Sequence, residues 1–427
     1  MKNFKRTISL ILCFAMMLSM VAFMTACNGD GEDDATDGET ESELERKPDT
    51  VYKEDLKSYK LVISSNISTN LKAIAGNLAE TLSTAWKGDI KLVTDTAEEE
   101  SEYEILLGNT NRPETATFKE KIGDGQCGYG VVGRKIVILG SEDIYTEKAV
   151  SIFLSLVVFA TRSTAVKYMD NNLENIVSAK DMISVMSLNL RVGHSGKMQG
   201  SVSDLLKTYM PDLLGVQEAD SEWMGAVTGR LSKNGYAAVG IGRDSNNTGE
   251  RTAIVYRTDK FELIDSTTMW LTDTPETVSK VEGSECRRIV TVAIFKRISD
   301  GKQFAYANTH LDNSTEQVRE EQLRYLDQHI KSFTDLPYIV TGDFNFTRSS
   351  PSYKVATEEL GYENCSILAP EARNRANATF VAGGIIDYCF RSAGSPFEPY
   401  LYAVCTETKN GNVISDHYPI FFLLDLK

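Results

Sequence analysis

Short apolar runs alternate with amphipathic stretches along most of the chain, and they predict a mixed α/β protein. Apolar side chains recur every three or four positions from Asn70 to Trp86, which predicts a helix, and a second helix is predicted over Tyr145 to Arg162. Tyr129 to Leu139 is typical of a hairpin that turns at Gly133-Arg134. Three further runs are typical of strands: Lys60 to Ser65, Ile90 to Val93 and Tyr103 to Leu107. We therefore expect a small α+β domain over residues 50–180.

From Met182 onward, strand-like runs follow one another to the end of the chain. Residues 170–181 are polar and predict a link between the two regions. Helical patterns occupy 201–209, 221–233 and 316–333. The strand-like runs are Ile183 to Leu188, Leu213 to Gln217, Tyr236 to Ile241, Ala253 to Tyr256, Ile289 to Phe295, Phe304 to Asn308, Tyr338 to Thr341, Ile385 to Phe390, Tyr402 to Cys405 and Ile420 to Leu424. Many strands with interspersed helices over 182–427 predict one α/β domain built as a two-sheet sandwich.

The first 26 residues have the pattern of an export signal. Met1 to Arg6 is basic, and Thr7 to Ala26 is apolar and uncharged. Met24 to Cys27 resembles a bacterial lipobox, in which the cysteine is lipidated and becomes the new N-terminus. We predict a lipoprotein signal peptide over residues 1–26, lipidation at Cys27, and a protein anchored to the cell membrane and facing outside the cytoplasm. An uncleaved membrane anchor is the alternative, and it implies the same location.

The net charge of −15 is concentrated in one short segment. Residues 28–49 carry ten acidic side chains against Arg46 and Lys47, and they contain almost no large apolar residue. Because such a segment cannot bury enough surface to offset its ordering entropy, we predict a disordered tether over residues 27–49. The region 182–427 has a net charge of only −6, and it shows no basic stripe of the kind expected in a nuclease that grips a duplex.

The cysteine pattern predicts neither a disulfide framework nor a zinc site. Five cysteines would remain in the folded part, an odd number, and no C-x-x-C pair occurs among them. One disulfide among the last four and free buried thiols both stay open. The five are Cys127, Cys286, Cys365, Cys389 and Cys405.

Polar residues stand at the ends of several predicted strands. Because strand ends hold side chains rigidly at a sheet edge, residues from different strands can converge there. Carboxylate and amide oxygens suit Mg²⁺ or Mn²⁺, and imidazoles exchange protons near neutral pH. The set includes no serine or cysteine in a nucleophile elbow, which favours water as the nucleophile. The residues are Asn189, Glu218, His310, Asp312, Asp343, Asn345, Asp387, Asp416 and His417.

The chain has only four histidines, which makes their positions informative. His310 and His417 belong to the fragments THLD and SDHYP at predicted strand ends. His194 lies in a loop close to Asn189 and could rim the same site. His329 lies in a helical pattern, and we expect it on the surface.

Seven fragments occur in a fixed order between Met186 and Ile420: MSLNLRVG, PDLLGVQEA, GERTAIVYR, NTHLDN, TGDFN, IDY and SDHYPI. Their order resembles the endonuclease/exonuclease/phosphatase superfamily, which includes pancreatic deoxyribonuclease, abasic-site endonucleases, neutral sphingomyelinases, inositol-polyphosphate phosphatases and deadenylases. The resemblance implies a four-layered α/β sandwich, with two mainly antiparallel sheets flanked by helices. It also implies cleavage of phosphoester bonds with a divalent metal.

The resemblance implies a metal site and a water-positioning pair. Glu218 would be the principal metal ligand, and Asn189 and Asp416 would assist it. Asp343 and Asn345 would position the attacking water and the phosphate, and Asn345 would also contact the substrate.

The resemblance also implies roles for two histidines and one arginine. His417, held in its tautomer by Asp387, would act as general base or stabilise charge on the phosphoryl group. His310, oriented by Glu250, would hydrogen-bond a phosphate oxygen. Arg288 matches a position where the family often has an arginine that contacts phosphate, although the neighbouring Arg287 is an alternative. Asp312 stands where many members have serine.

The substrate class stays open, because the same residues serve nucleases, lipid phosphodiesterases and sugar or inositol phosphatases. We expect an extracytoplasmic phosphodiesterase or phosphatase that acts on a phosphorylated metabolite, a lipid headgroup, a glycan or a nucleic acid. A secreted nuclease and a catalytically inactive surface-binding lipoprotein are the alternatives. The fragment Glu104 to Glu114, with the hairpin and helix that follow, resembles the accessory N-terminal domain of some glycoside hydrolases. Residues 50–180 contain no histidine, so we expect them to be non-catalytic.

Overall fold

The structure is a computed structural model that describes residue 47 and residues 49–158, 168–170, 172–232, 235–406 and 413–427. The predicted signal peptide, Cys27 and nearly all of the predicted tether lie outside the described residues, so these assignments stay predictions. Among the described helices, none combines the length and the apolar character needed to cross a bilayer.

The N-terminal part of the described chain forms a mixed six-stranded sheet, in the order β3-β2-β4-β6-β5-β8. Its strands are β2 (Lys60–Ile63), β3 (Leu92–Thr94), β4 (Glu104–Leu107), β5 (Gln126–Val132), β6 (Lys135–Gly140) and β8 (Glu174–Ser178). Its helices are α1 (Thr69–Trp86), α2 (Pro113–Lys119) and α3 (Asp143–Phe153), the last continued by a wider turn over Leu154–Val158. The predicted hairpin is confirmed, with Gly133 at a φ of 61° in its turn.

The predicted polar link over residues 170–181 is wrong. β8 pairs antiparallel with β5 and completes the sheet, and β7 (Tyr168–Asp170) pairs with β1 (Thr50–Tyr52). The residues of β8 are partly or fully exposed, so this edge strand lacks the apolar alternation that identifies a half-buried strand. The pattern also misses α2, which has only seven residues and starts with a proline.

The rest of the chain builds two stacked sheets, as predicted. The first sheet has seven strands in the order β11-β12-β10-β9-β21-β20-β18. The second has six strands in the order β13-β14-β15-β16-β19-β17. The strands of the first sheet are β9 (Met182–Asn189), β10 (Leu213–Ala219), β11 (Tyr236–Val239), β12 (Arg251–Arg257), β18 (Glu371–Arg373), β20 (Phe397–Val404) and β21 (Ile420–Leu426). The strands of the second are β13 (Phe261–Trp270), β14 (Ile289–Arg297), β15 (Gln303–His310), β16 (Tyr338–Asp343), β17 (Glu363–Asn364) and β19 (Asp387–Arg391).

Helices cover the outer faces of both sheets, which gives four layers. On the first sheet, α4 (Ser195–Tyr209) and α5 (Ser221–Leu231) bury their apolar faces against β9 and β10. On the second, α6 (Glu316–Phe333) buries its apolar face against β14, β15 and β16. Two short helices, α7 (Pro351–Lys354) and α8 (Cys365–Leu368), complete this part, and the turn over Val355–Glu359 extends α7. A core rich in aromatic rings lies between the sheets.

Two further expectations for this region need correction. β13 was not predicted, because it carries polar or exposed side chains over most of its length and pairs with β14 on one side only. His329 is buried rather than on the surface. It lies on the inner face of α6, and its Nε2 is 3.0 Å from the carbonyl oxygen of Thr272.

Residues Pro48 to Lys427 form one compact unit, in which the N-terminal sheet and the sandwich share a hydrophobic core. The side chain of Asn77 on α1 donates to the carbonyl of Lys207 on α4 at 3.1 Å. Lys260 bridges Asp212 at 2.8 Å and Glu147 at 3.0 Å. We call the ionic group at this contact the interface cluster, and it consists of the largely buried Glu147, Lys148, Asp212, Arg257 and Lys260 and the exposed Asp259.

The five cysteines of the described chain are free thiols, which was one of the two expectations left open. Cys286 is half-buried, and the other four are buried. Cys365 and Cys389 lie together in the core between the sheets. Their neighbours are aliphatic and aromatic side chains, so these thiols pack as small apolar groups.

Candidate active site

The predicted convergence of strand ends is present at one edge of the sandwich. Asn189 is the last residue of β9, His310 the last of β15 and Asp343 the last of β16. The register pairs Asp343 with His310 on the parallel strand β15 and with Asp387 on the antiparallel strand β19. Asp343 is therefore flanked in the sheet by an imidazole and a second carboxylate.

One amide joins the carboxylates of the two sheets. Nδ2 of Asn189 donates to Oε1 of Glu218 at 2.9 Å and to Oδ2 of Asp343 at 3.1 Å. The other oxygen of Glu218 accepts from the backbone N–H of Val192 at 2.8 Å. Asn189 and Asp343 are buried, whereas Glu218 is partly exposed, so a ligand can approach this group from the Glu218 side.

Three residues of the site hold a backbone conformation that side-chain-bearing residues rarely adopt. The φ angles are 59° at Arg191, 54° at Glu218 and 52° at Asn345. The pairing register of β10 shifts between Val216 and Ala219, so Glu218 sits in a bulge at the strand end. Positive φ at such residues costs free energy that the surrounding structure must supply, and such strain concentrates at functional sites.

Asp343 lies between the two histidines that the sequence singled out. Its Oδ2 is 3.5 Å from Nε2 of His417 and 3.5 Å from Nε2 of His310. Nδ1 of His417 lies 2.9 Å from Oδ2 of Asp387, as the resemblance implied. Asn345 donates from Nδ2 to the Nε2 of His310 at 3.1 Å and from its backbone N–H to Asp343 at 3.0 Å.

The two imidazoles differ in charge. Burial opposes protonation of His417, but the carboxylates of Asp387 and Asp343 outweigh it and raise its pKa to about 10. Burial, together with the positive charges of Arg288 and Arg243, lowers the pKa of His310 well below its usual value. At neutral pH, His417 is therefore an imidazolium and His310 a neutral imidazole.

Burial and the neighbouring Asp387 raise the pKa of Asp343 to about 7. The site thus holds more negative charge than its own cations neutralise. A carboxylate in this state gains from a positive ion or from a proton, and it can take a proton from water near neutral pH.

Asp416 lies at the rim, one residue before His417. Its Oδ2 is 3.3 Å from Nε of Arg191, which is itself partly exposed. Ser415 ties this rim to the centre, because its hydroxyl donates to the carbonyl of Asn189 at 2.7 Å and accepts from the backbone N–H of His417. Phe380 packs on His417 with ring centroids 4.9 Å apart.

The structure gives Glu250 a different partner from the one the resemblance implied. Glu250 pairs with Arg243 through both oxygens, at 2.6 and 2.9 Å, and no hydrogen bond joins it to His310 among the described residues. The guanidinium satisfies both oxygens of the carboxylate, so His310 is oriented by Asn345 instead. Glu250 and His310 still line the same cleft.

Arg288 lies in that cleft, buried, beside Glu218 and His310. Its Nε donates to Asp312 at 3.2 Å. Burial would raise the pKa of Asp312, but donors from Ser314, Cys286 and Ser284 outweigh it and lower that pKa, so the carboxylate stays charged. Asp312 therefore fixes Arg288 in place. Arg287 is more exposed and pairs with Asp244 at 2.9 Å.

The donor groups of the site fit a hard divalent cation. Asp343, Asp387 and His417 each have a potential ligand atom within 4.8 Å of the others, but the imidazolium of His417 has no free lone pair, so the carboxylates are the donors for a cation. The predicted ligands Glu218 and Asn189 contact this group through Asp343, and Asp416 is the chain neighbour of His417. Carboxylate oxygens are preferred ligands of Mg²⁺ and Mn²⁺, and the excess negative charge favours such an ion.

Several contributing residues were missed by sequence reasoning. Arg191 stands inside the fragment MSLNLRVG, so the order of fragments could have found it. Arg243 and Phe380 lie in loops, and nothing in their local pattern distinguishes them from surface residues. Arg191 contacts Asp416 and Phe380 contacts His417, both far away in the chain, whereas Arg243 pairs with Glu250 across the short loop between them. Ser415 stands inside the fragment SDHYPI, so the order of fragments could have found it. His194 remains a loop residue, with Nδ1 3.0 Å from the carbonyl of Val192.

Residues 186–417, more than half of the chain, match the endonuclease/exonuclease/phosphatase family. The chain belongs to this family. Members of the endonuclease/exonuclease/phosphatase family hydrolyse phosphoester bonds, which assigns the chain to the phosphoester hydrolases. No curated protein sequence matches it.

Solved structures of this family are similar to the sandwich. A family protein from Bacteroides thetaiotaomicron is 27% identical, with a TM-score of 0.54, over 58% of this chain and 98% of the other. One from Bacteroides vulgatus is 26% identical, with a TM-score of 0.53, over 58% and 99%. A mannosyl-6-phosphatase from Bacteroides thetaiotaomicron is 26% identical, with a TM-score of 0.52, over 57% and 99%. These similarities agree with the four-layered fold.

Proposed function

We propose that this chain hydrolyses phosphomonoesters of sugars or glycans with Mg²⁺ or Mn²⁺, outside the cytoplasm and anchored through Cys27. One observation carries the chemical part of the proposal. Asp343, a buried carboxyl of raised pKa, stands between an imidazolium and a neutral imidazole and is joined to Glu218 by Asn189.

Each residue has a task that its surroundings support. Asp343 and Asn345 orient the attacking water, and the Asp343 carboxylate accepts its proton. His417, kept protonated by Asp387, donates to a phosphoryl oxygen as negative charge develops there. The neutral imidazole of His310 hydrogen-bonds a phosphate oxygen, and Arg288 binds another through its guanidinium. Asp387 and Glu250 act by positioning His417 and Arg243.

A divalent metal would be held by Glu218 and neighbouring donors, close to the Asp343 carboxylate, and when bound it would polarise the phosphoryl group as a Lewis acid. Asn189 would keep the two carboxylates together, and Asp416 would add a carboxylate at the rim. The imidazolium of His417 would offset further negative charge on the transferred phosphoryl group.

Two observations favour a sugar phosphate as the substrate. One of the similar structures is named a mannosyl-6-phosphatase, and its similarity extends over the whole sandwich. The region 182–427 has a net charge of −6, which disfavours long-range attraction of a polyanion such as a nucleic acid.

A panel of substrates tests the proposal. The purified protein is assayed with Mg²⁺ or Mn²⁺ on p-nitrophenyl phosphate, bis-p-nitrophenyl phosphate, mannose 6-phosphate, sphingomyelin, DNA and RNA. We expect the highest kcat/KM for mannose 6-phosphate and loss of activity with a chelator. Lack of activity on the whole panel would overturn the proposal, as would wild-type rates in both Asp343→Ala and His417→Ala. Arg324→Gln, on the outer surface of α6, is the matched control.

A further inference from the structure

Four arginines from two segments of the chain meet in the cleft beside the catalytic residues, although the sequence shows no basic stripe. Arg243, Arg251, Arg287 and Arg288 line one open cleft together with Glu218 and His310. Arg243 and Arg251 flank one loop, and Arg287 and Arg288 precede β14. The fold therefore concentrates positive charge next to a site whose own charge is negative.

Two of the four are fixed by carboxylates inside the protein. Arg243 forms a two-pronged pair with Glu250, and Arg288 donates to Asp312. Both are largely buried, with side chains 14% and 6% exposed. Their charges are compensated, and both lie close enough to His310 to lower its pKa.

The charges of Arg251 and Arg287 are less well compensated. Arg251 is partly exposed, and its partners are neutral: the hydroxyl of Ser221 and the backbone and side-chain oxygens of Asn247. Among the described residues, no carboxylate lies within ion-pair distance of it. Arg287 pairs with Asp244 through one nitrogen only, and both side chains are more than a third exposed. Such an exposed pair contributes little and can exchange its partner for a ligand.

We infer that Arg251 and Arg287 form a second anion subsite, so that the preferred substrate is a sugar phosphate carrying a further phosphate or carboxylate. The inference rests on the proposed function and deepens it. The phosphoryl group to be cleaved lies at Asp343, His310 and Arg288, and the second anion lies against the two outer arginines of the same cleft. A guanidinium binds either anion through paired N–H donors.

Three matched substrates and two variants test this subsite. Phosphate release from mannose 6-phosphate, mannose 1,6-bisphosphate and 6-phosphogluconate is measured with Mn²⁺. We expect one of the two doubly anionic substrates to exceed mannose 6-phosphate in kcat/KM, and that substrate identifies the second group. In Arg251→Gln and in Arg287→Gln, the ratio of kcat/KM between the doubly and singly anionic substrate should fall by about tenfold. Arg324 forms an exposed ion pair with Glu359 outside the cleft, so the ratio should not change in the control variant Arg324→Gln.

The outcomes separate the subsite from the underlying function. A wild-type ratio near one, or an unchanged ratio in both variants, overturns the subsite while leaving the hydrolase intact. A single-stranded oligonucleotide preferred over all three sugars also overturns it. No phosphate release from any substrate overturns the proposed function and the subsite together.

Discussion

The molecule holds two groups of mostly buried charged side chains, and they differ in how far their positive and negative charges compensate each other. The interface cluster, between the N-terminal sheet and the sandwich, holds three cations against three carboxylates. The catalytic cluster, at the edge of the sandwich, holds three carboxylates and only one imidazole that carries charge at neutral pH. We define the catalytic cluster as Glu218, His310, Asp343, Asp387 and His417.

The difference shows in one aspartate of each group. Burial would raise the pKa of Asp212, but the charges of Lys148, Lys260 and Arg257 outweigh it, and the pKa lies below its usual range. Burial raises the pKa of Asp343 as well, and there the neighbouring Asp387 adds to the effect. Equal burial thus gives opposite results, because only the interface cluster supplies its own cations. The catalytic cluster instead favours a cation from outside.

Asp343→Asn tests this difference between the two clusters most directly, because it removes the negative charge of the side chain and keeps its shape. We expect kcat to fall by about 10²- to 10⁴-fold, because the amide cannot accept a proton from water. The metal-free variant should be as stable as the wild type or more stable, because a poorly compensated buried charge is removed. Initial rates and urea unfolding check both parts. A large loss of stability together with the loss of rate would mean that Asp343 is a structural residue.

Asp212→Asn is the matched change in the interface cluster. Here we expect the protein to lose stability and to keep its kcat. Removing this carboxylate leaves the buried Lys148 without its ion-pair partner and leaves Lys260 with Glu147 alone, so unfolding should become easier by about 3 to 5 kcal/mol. The kcat of the folded fraction should not change, because Asp212 lies outside the catalytic cluster. Urea unfolding and active-site titration distinguish the two effects. An unchanged unfolding midpoint would show that the interface cluster does not stabilise the contact.

The same contrast explains what could be predicted from sequence. The ends of apolar runs marked Asn189, His310 and Asp343, because a buried strand followed by a polar residue is a local pattern. The seven fragments then supplied the order of the family, and the four-layered fold followed. The prediction held where sequence-local features decide the structure.

What escaped prediction depends on contacts between distant residues. The interface cluster joins Glu147 to Arg257 across more than a hundred positions, and neither residue has a distinctive neighbourhood in the sequence. The four arginines of the cleft were not predicted to cluster, because the net charge of residues 182–427 averages over the whole region. Glu250 was expected to orient His310, but both of its carboxylate oxygens accept hydrogen bonds from the guanidinium of Arg243 instead. The exposed strand β8 was missed because exposure removes the apolar signal.

A divalent metal should stabilise the protein through the catalytic cluster alone. At a metal concentration of about 100 times Kd, we expect a gain of about 2.7 kcal/mol in the free energy of unfolding. Glu218→Gln should lose most of this gain, because it removes a negatively charged ligand, whereas Asp259→Asn in the interface cluster should keep it. Thermal or urea unfolding with and without Mn²⁺ measures the gain without any substrate. Equal gains in the two variants would place the metal elsewhere.

The smallest expected effect is a pH dependence that only the catalytic cluster produces. The pKa of Asp343 is about 7 in the folded protein and about 3.9 in an unfolded chain. Between these values the folded state binds more protons, so the stability of the metal-free protein should fall as pH rises from about 4.5 to about 6.5. His417, whose folded pKa is about 10, stays charged through this window, and so does the unfolded histidine at its lower end. The lowered pKa of Asp212 keeps the interface cluster ionised there.

The slope from this one carboxyl reaches at most about 1.4 kcal/mol per pH unit, and other groups also titrate, so the wild type must be compared with Asp343→Asn. We expect the difference in unfolding free energy between the two proteins to change with pH in the stated direction. Saturating Mn²⁺ should reverse the sign of that change, because a cation held at Glu218 stabilises the ionised Asp343 carboxylate nearby and competes with the proton. Parallel curves for the two proteins without metal would show that Asp343 is already compensated. In that case the contrast between the two clusters would not hold.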